Sequence, residues 1–142
     1  MPTIELNYWA ILVATAAAMV IGTIWYARPV FGRTWMSLVN LTPEKAKKGA
    51  ALGLLGMLVF AFVQAYILAH FITIAIGSPF FTTTTDLMQG IYTAFWGWLG
   101  FVVPVLIAGP LFARTSWKLF FIGAGNQFVT LIAMGAILGA WR

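Results

Sequence analysis

The chain contains no cysteine, and among its 142 residues it has three carboxylates, one histidine and eight Lys or Arg. Each shortage removes a class of chemistry. Without cysteine there are no disulfides, thiolate metal sites or cysteine nucleophiles. One histidine cannot supply the three or four ligands of a zinc site. Glu5, Glu44 and Asp86 all lie near the ends of apolar runs, so neither a catalytic triad nor a carboxylate dyad assembles from them. No G-x-x-x-x-G-K-[ST] segment is present to cradle nucleotide phosphates. A non-catalytic protein without metal or cofactor is the expectation.

Charge is equally scarce, at 8% of residues against 62% hydrophobic. A soluble domain devotes about a quarter of its residues to charge. The mean hydropathy of +0.96 points to lipid as the solvent. The net charge of +5 sits in short loops between apolar runs, which suits anionic headgroups rather than nucleic acid.

Four runs are long enough to cross a bilayer, at about Leu6 to Ala27, Gly49 to Ile76, Leu87 to Gly109 and Leu119 to Trp141. Each exceeds the ~20 residues needed for a ~30 Å core. Backbone groups in lipid must be satisfied within the segment, so the runs are read as helices. The first run follows a stretch with Glu5 and no Lys or Arg, and it is too long for a secretory h-region, so it is read as a retained helix. The expected fold is an all-α membrane protein over residues 1–142. Its four transmembrane helices form an antiparallel bundle, with possible halves 1–80 and 85–142.

Arg28, Arg33, Lys45, Lys47 and Lys48 fall in the first loop, and Arg114 and Lys118 in the third. The second loop has none, and the C-terminus holds only Arg142. The positive-inside rule puts the first and third loops in the cytoplasm. Both termini and the Ser78-Pro79-Phe80-Phe81-Thr82 loop then face outward. Phe31, Trp35, Leu38 and Val39 make one apolar face at helical spacing, which predicts a short interfacial helix beside Arg28 and Arg33. Thr42-Pro43 predicts the start of the second membrane helix. Trp35 and Trp117 join the basic residues at the lipid interface.

A short repeat follows the first and third helices. Pro29-Val30-Phe31-Gly32-Arg33-Thr34-Trp35 resembles Pro110-Leu111-Phe112-Ala113-Arg114-Thr115-Ser116-Trp117. Two halves of shared orientation would follow; chance likeness between two interfacial segments is the alternative. Stripes of small residues, at Ala10, Ala14, Ala18 and Gly22, at Gly49, Gly53, Ala61, Ala65 and Ala69, and at Gly135 and Gly139, predict close helix contacts. These contacts could lie within the chain or between copies. Pro104 predicts a kink in the third helix.

No Asp, Glu, Lys or Arg lies deep in a span, which argues against proton-coupled exchange through a buried carboxylate. The candidate intramembrane site is therefore polar and without carboxylate, Lys or Arg: Gln64, His70, Asn126, Gln127 and Thr130, with Gln64 and Asn126 as the leading pair and His70 as a conceivable titratable group near Asp86 or Glu5. Interhelical hydrogen bonds are the plainer role for these residues. For His70 it is a bond to a neighbour or to interfacial water.

Trp25-Tyr26-Ala27-Arg28-Pro29-Val30-Phe31-Gly32-Arg33-Thr34-Trp35 resembles a bacterial membrane-protein family catalogued as domain of unknown function 1761. Trp98 to Pro104 and Ser116 to Phe120 resemble that family's later segments, so the likeness covers almost the whole chain. One departure is Gly123, where the family pattern has an Asn early in the fourth helix; here Asn126 follows instead. The resemblance implies a four-helix protein of the bacterial inner membrane and carries over no activity or site residues. The leading expectation is a self-associating structural or accessory protein that binds lipid or a membrane partner. The alternative is a transporter or channel for a small solute, using the mid-membrane polar residues.

Overall fold

The computed structural model describes residues 4–79 and 84–142, and the tip of the Ser78-to-Thr82 loop lies outside them. The described residues are helical, with no strand among them. Helix α1 is Tyr8–Trp25, α2 Arg33–Leu38, α3 Pro43–Ile76, α4 Asp86–Gly97, α5 Val103–Ala108 and α6 Trp117–Ala140. Four spans are long and apolar enough to cross a membrane: α1, α3, the continuous run Asp86–Ala113 and α6.

Local chemistry sets the helix ends. The Asn7 side chain accepts from the Ala10 amide at 3.1 Å, Thr42 from Lys45 at 3.3 Å and Ser116 from Lys118 at 3.1 Å. Each satisfies an amide that the first turn leaves open. The expected start of α3 at Pro43 is therefore met. The predicted kink takes a specific form. Between α4 and α5, Trp98–Val102 opens into a π-helical turn just ahead of Pro104. Proline lacks the amide that would bond back to its preceding turn, and a wider turn absorbs the gap.

The repeated segments share a backbone shape as well as residues. Arg28–Gly32 and Gly109–Ala113 are both π-helical turns with proline in second place. They part company at the following arginine. Arg33 stays right-handed and enters α2, whereas Arg114 turns left-handed at φ 55° and the chain re-enters a helix at Trp117.

Small residues decide how the helices meet. Ala10, Ala14 and Ala18 of α1 are buried, as are Ala61, Ala65 and Ala69 of α3. Helices α4 and α6 pack most extensively. Gly139 lies against Asp86 and Gly135 against Gly90, while the Trp98 indole reaches the Ala124 carbonyl. The partner on α6 thus recedes toward its start as α4 advances. The expected stripe on α3 is only half used. Gly49 and Gly53 have open space around them, and no residue from Pro43 to Phe60 is buried. An exposed ion pair, Arg142 to Asp86 at 3.4 Å, joins the chain end to the start of α4.

Candidate functional site

Two features at neighbouring ends of the bundle position the candidate site. The first is a corner after α1. Trp25 packs on Phe31 at a tilt of 38° with centroids 4.8 Å apart, and Tyr26 meets Trp35 edge-on at 5.4 Å. The Trp25 indole donates to the Ile122 carbonyl of α6 at 3.0 Å. Gly32 is buried where any Cβ would strike the Tyr26 and Ala27 backbone, so only glycine fits that approach. Phe31 and Trp35 therefore fold back onto the end of α1. Trp35 is half-buried, its ring edge-on to Tyr26. Replacing Trp25 with Phe removes the bond to Ile122 and should lower stability by about 1 kcal/mol. The check is thermal unfolding in detergent, with Trp9→Phe as the control because Trp9 is 72% exposed. Equal melting of the two variants would refute the role.

The second feature is a cleft. Helix α3 touches its neighbours through Ala61, Ala65, Leu68, Ala69 and Ile72, and its first half stands away from them. Between residues 54–71 of α3, the end of α1, the α4–α5 kink and α6 lies a half-open cleft of about 930 Å³. Its walls are mainly apolar, with Met19, Leu54, Met57, Phe60 and Phe101 among them.

Four polar side chains interrupt that wall where α3 faces α6: Gln64, Asn126, Gln127 and Thr130. Gln64 Nε2 donates to Gln127 Oε1 at 3.2 Å. The pair expected first, Gln64 with Asn126, is not the one formed. Neighbouring residues on a helix point about 100° apart, and Gln127 is the one turned toward Gln64. Asn126 and Thr130 share the adjacent face, one turn apart, and are 5% and 4% exposed. Neither Asn126 Nδ2 nor Thr130 Oγ1 has a hydrogen-bond partner among the described residues. Threonine on a helix can bond its own preceding turn, and Thr15, Thr23 and Thr73 do so at 2.8, 2.8 and 2.9 Å. Thr130 does not. A buried polar atom left unpaired costs about 1–3 kcal/mol.

His70 stands apart from this group. Its Nδ1 lies 2.9 Å from the Tyr66 carbonyl on its own helix, and its ring meets Tyr66 edge-on at 4.6 Å. It does not line the cleft. Arg28, Arg33, Lys45, Lys47, Lys48, Arg114 and Lys118 are all exposed, with no ion pair among the described residues, and Trp117 is 48% exposed. Of the deeper tryptophans, Trp98 packs on Phe128 at 4.9 Å and donates to the Ala124 carbonyl at 2.9 Å. Trp96 is 60% exposed.

Sequence reasoning did not single out Tyr26, Gly97, Phe101 and Leu131 as parts of one wall. They are ordinary membrane residues, and they share a cleft only because α3 diverges from the other helices. It also passed over Gly90, although Gly90 and Ala94 repeat the small-residue spacing.

No curated protein matches the chain, and no solved structure does. A family model described as "Protein of unknown function (DUF1761)" matches residues 9–139. The stretch includes the Trp25 corner, the α4–α5 kink and every polar residue of the cleft. The chain belongs to that family.

Proposed function

We propose that the chain is a non-catalytic, multi-pass protein of the bacterial cytoplasmic membrane that accommodates a lipophilic molecule in the cleft between α3 and the other helices. In this reading the four spans form an antiparallel bundle with both termini outside. The basic loops and α2 lie at the cytoplasmic surface. The cleft then opens in the cytoplasmic half of the membrane, where anionic headgroups meet the exposed lysines and arginines. The scarcity of reactive side chains supports binding or carriage rather than chemistry.

The observation that carries this reading is a mainly apolar cleft whose wall includes Asn126 and Thr130, with Asn126 Nδ2 and Thr130 Oγ1 buried at that wall and without a hydrogen-bond partner among the described residues. Residues that serve only as glue between helices end up bonded to each other. The cleft volume falls near the top of the ~300–1,000 Å³ range of small-molecule sites, most of them apolar with a few convergent polar groups.

Gly97→Phe tests it. Gly97 lines the cleft, and a Cβ there meets nothing within 4 Å, so the ring can fill the space without displacing a helix. Native mass spectrometry of protein extracted from membranes should find a lipophile bound to the original chain. The variant should have lost it at unchanged helicity and melting temperature. Equal retention by both proteins would rule the cleft out as the binding site.

A second reading, self-association, is supported by the first half of α3. Gly49, Gly53 and Gly56 are open there, with Leu52 77% and Phe60 70% exposed. Small residues among exposed apolar ones suit close packing with another helix in lipid. Loss of a dimer on Gly53→Leu, measured by particle mass in detergent, would favour it.

A further inference from the structure

We infer that the cleft selects an uncharged lipophile whose head carries a hydroxyl or carbonyl, with that head seated deep against Asn126, Gln127 and Thr130. The inference rests on the cleft reading above and adds the chemical class of the ligand. Three observations lead to it.

First, no Asp, Glu, Lys, Arg or His lines the cleft. A charged head drawn into it would leave water with no opposite charge to meet, and charge inside a membrane is costly without a partner. Second, Asn126 Nδ2 and Thr130 Oγ1 lie buried at the cleft wall without a partner among the described residues; a turn of either side chain about its own bonds would let a hydroxyl or carbonyl head pair with it, and a purely apolar ligand offers no such partner. Third, the bond between Gln64 and Gln127 uses only part of each amide. Each primary amide offers two donors and an acceptor, so the pair retains both kinds of group whichever way the two amides are turned. Hydroxyls and carbonyls suit such a mixed set.

The rest of the wall sets the remainder of the molecule. Apart from Thr23 and Tyr26 at the end of α1, it is apolar, and Thr23 is already bonded to Met19. A long hydrocarbon or isoprenoid chain running from the polar spot past Phe60 and Phe101 would bury its surface there. The head then sits deeper than the basic loops. A lipid held by its anionic headgroup would sit the other way round, with its head among Lys47, Lys48 and Arg28.

The experiment uses the full-length protein in lipid nanodiscs and three probes of one chain length: hexadecanol, hexadecyl sulfonate and hexadecyltrimethylammonium. Retention is read by native mass spectrometry in competition. Hexadecanol should be favoured by about tenfold or more over either ion, one tenfold step being a modest share of the usual cost of burying charge. Asn126→Leu and Thr130→Val should each reduce that preference several-fold while the chain still binds. Thr130→Val keeps side-chain shape, so it serves if Asn126→Leu fails to fold. Equal retention of all three probes, or preferential retention of the sulfonate, would overturn the head-group inference and leave the cleft reading standing. So would a preference unchanged in both variants. Failure of every probe to exceed the Gly97→Phe background would overturn the cleft reading itself.

Discussion

Gly90→Leu should leave no folded protein to purify, and Gly90→Ala alone should destabilise the fold by roughly 3 kcal/mol. The reason is the seam between α4 and α6. A Cβ on Gly90 would land on the Gly135 carbonyl, and one on Gly135 would strike the Gly90 carbonyl. A Cβ on Gly139 would lie 2.5 Å from the Asp86 carbonyl and 3.1 Å from the Gly90 Cα. These neighbours are backbone, so no side-chain rotation relieves the clash and the helices must separate. In lipid, separation forfeits dispersion contacts along the whole seam, and close packing is a main source of helix association there. Gly53→Ala is the control. Its Cβ meets nothing within 4 Å, so the change should stay within about 0.5 kcal/mol. Thermal unfolding in detergent reads both. Identical melting of Gly90→Ala and Gly53→Ala would mean that α4 and α6 do not touch at these glycines.

The second large effect is all-or-none. A membrane-impermeant maleimide added to intact cells should modify Thr84→Cys and spare Lys47→Cys and Arg114→Cys until the membrane is opened. The chain has no native cysteine, so each label reports one position. The expectation rests on charge. Five basic residues precede or begin α3 and two more flank the start of α6, while none occurs between α3 and α4. Each Lys or Arg near an anionic cytoplasmic leaflet is worth about 1 kcal/mol, and the charge bias orients the helices during insertion. Labelling of Lys47→Cys alone would invert the topology, and the cleft would then open toward the outside.

The spans were legible because hydropathy is a local property, summed over one helix at a time. The caps were legible for the same reason: Thr42 and Pro43 announce α3 whatever packs on it. Pro104 announced a disturbance, although not the π-helical turn that absorbs it. The polar residues of the cleft could be named, yet their pairing could not. Gln127 rather than Asn126 meets Gln64 because of the rotation of α6 against α3, and that rotation depends on contacts far along both helices. His70 was named with them as the one histidine of the chain; its ring nitrogen lies against the Tyr66 carbonyl of its own helix, and it does not line the cleft.

The same division runs through the whole molecule. Its scarcity of charge, cysteine and carboxylate by itself determined a set of long apolar helices and left few side chains capable of catalysis. The order of small residues determined where close contacts could form. Which of those contacts form was decided only in three dimensions. Gly135 and Gly139 found Gly90, whereas Gly49 and Gly53 found nothing, because α3 leaves the bundle before reaching them. That divergence also shapes the cleft, at whose wall Asn126 Nδ2 and Thr130 Oγ1 lie buried without a hydrogen-bond partner among the described residues. A cleft is a gap between surfaces set by the angle between helices, and no single segment of the sequence encodes that angle.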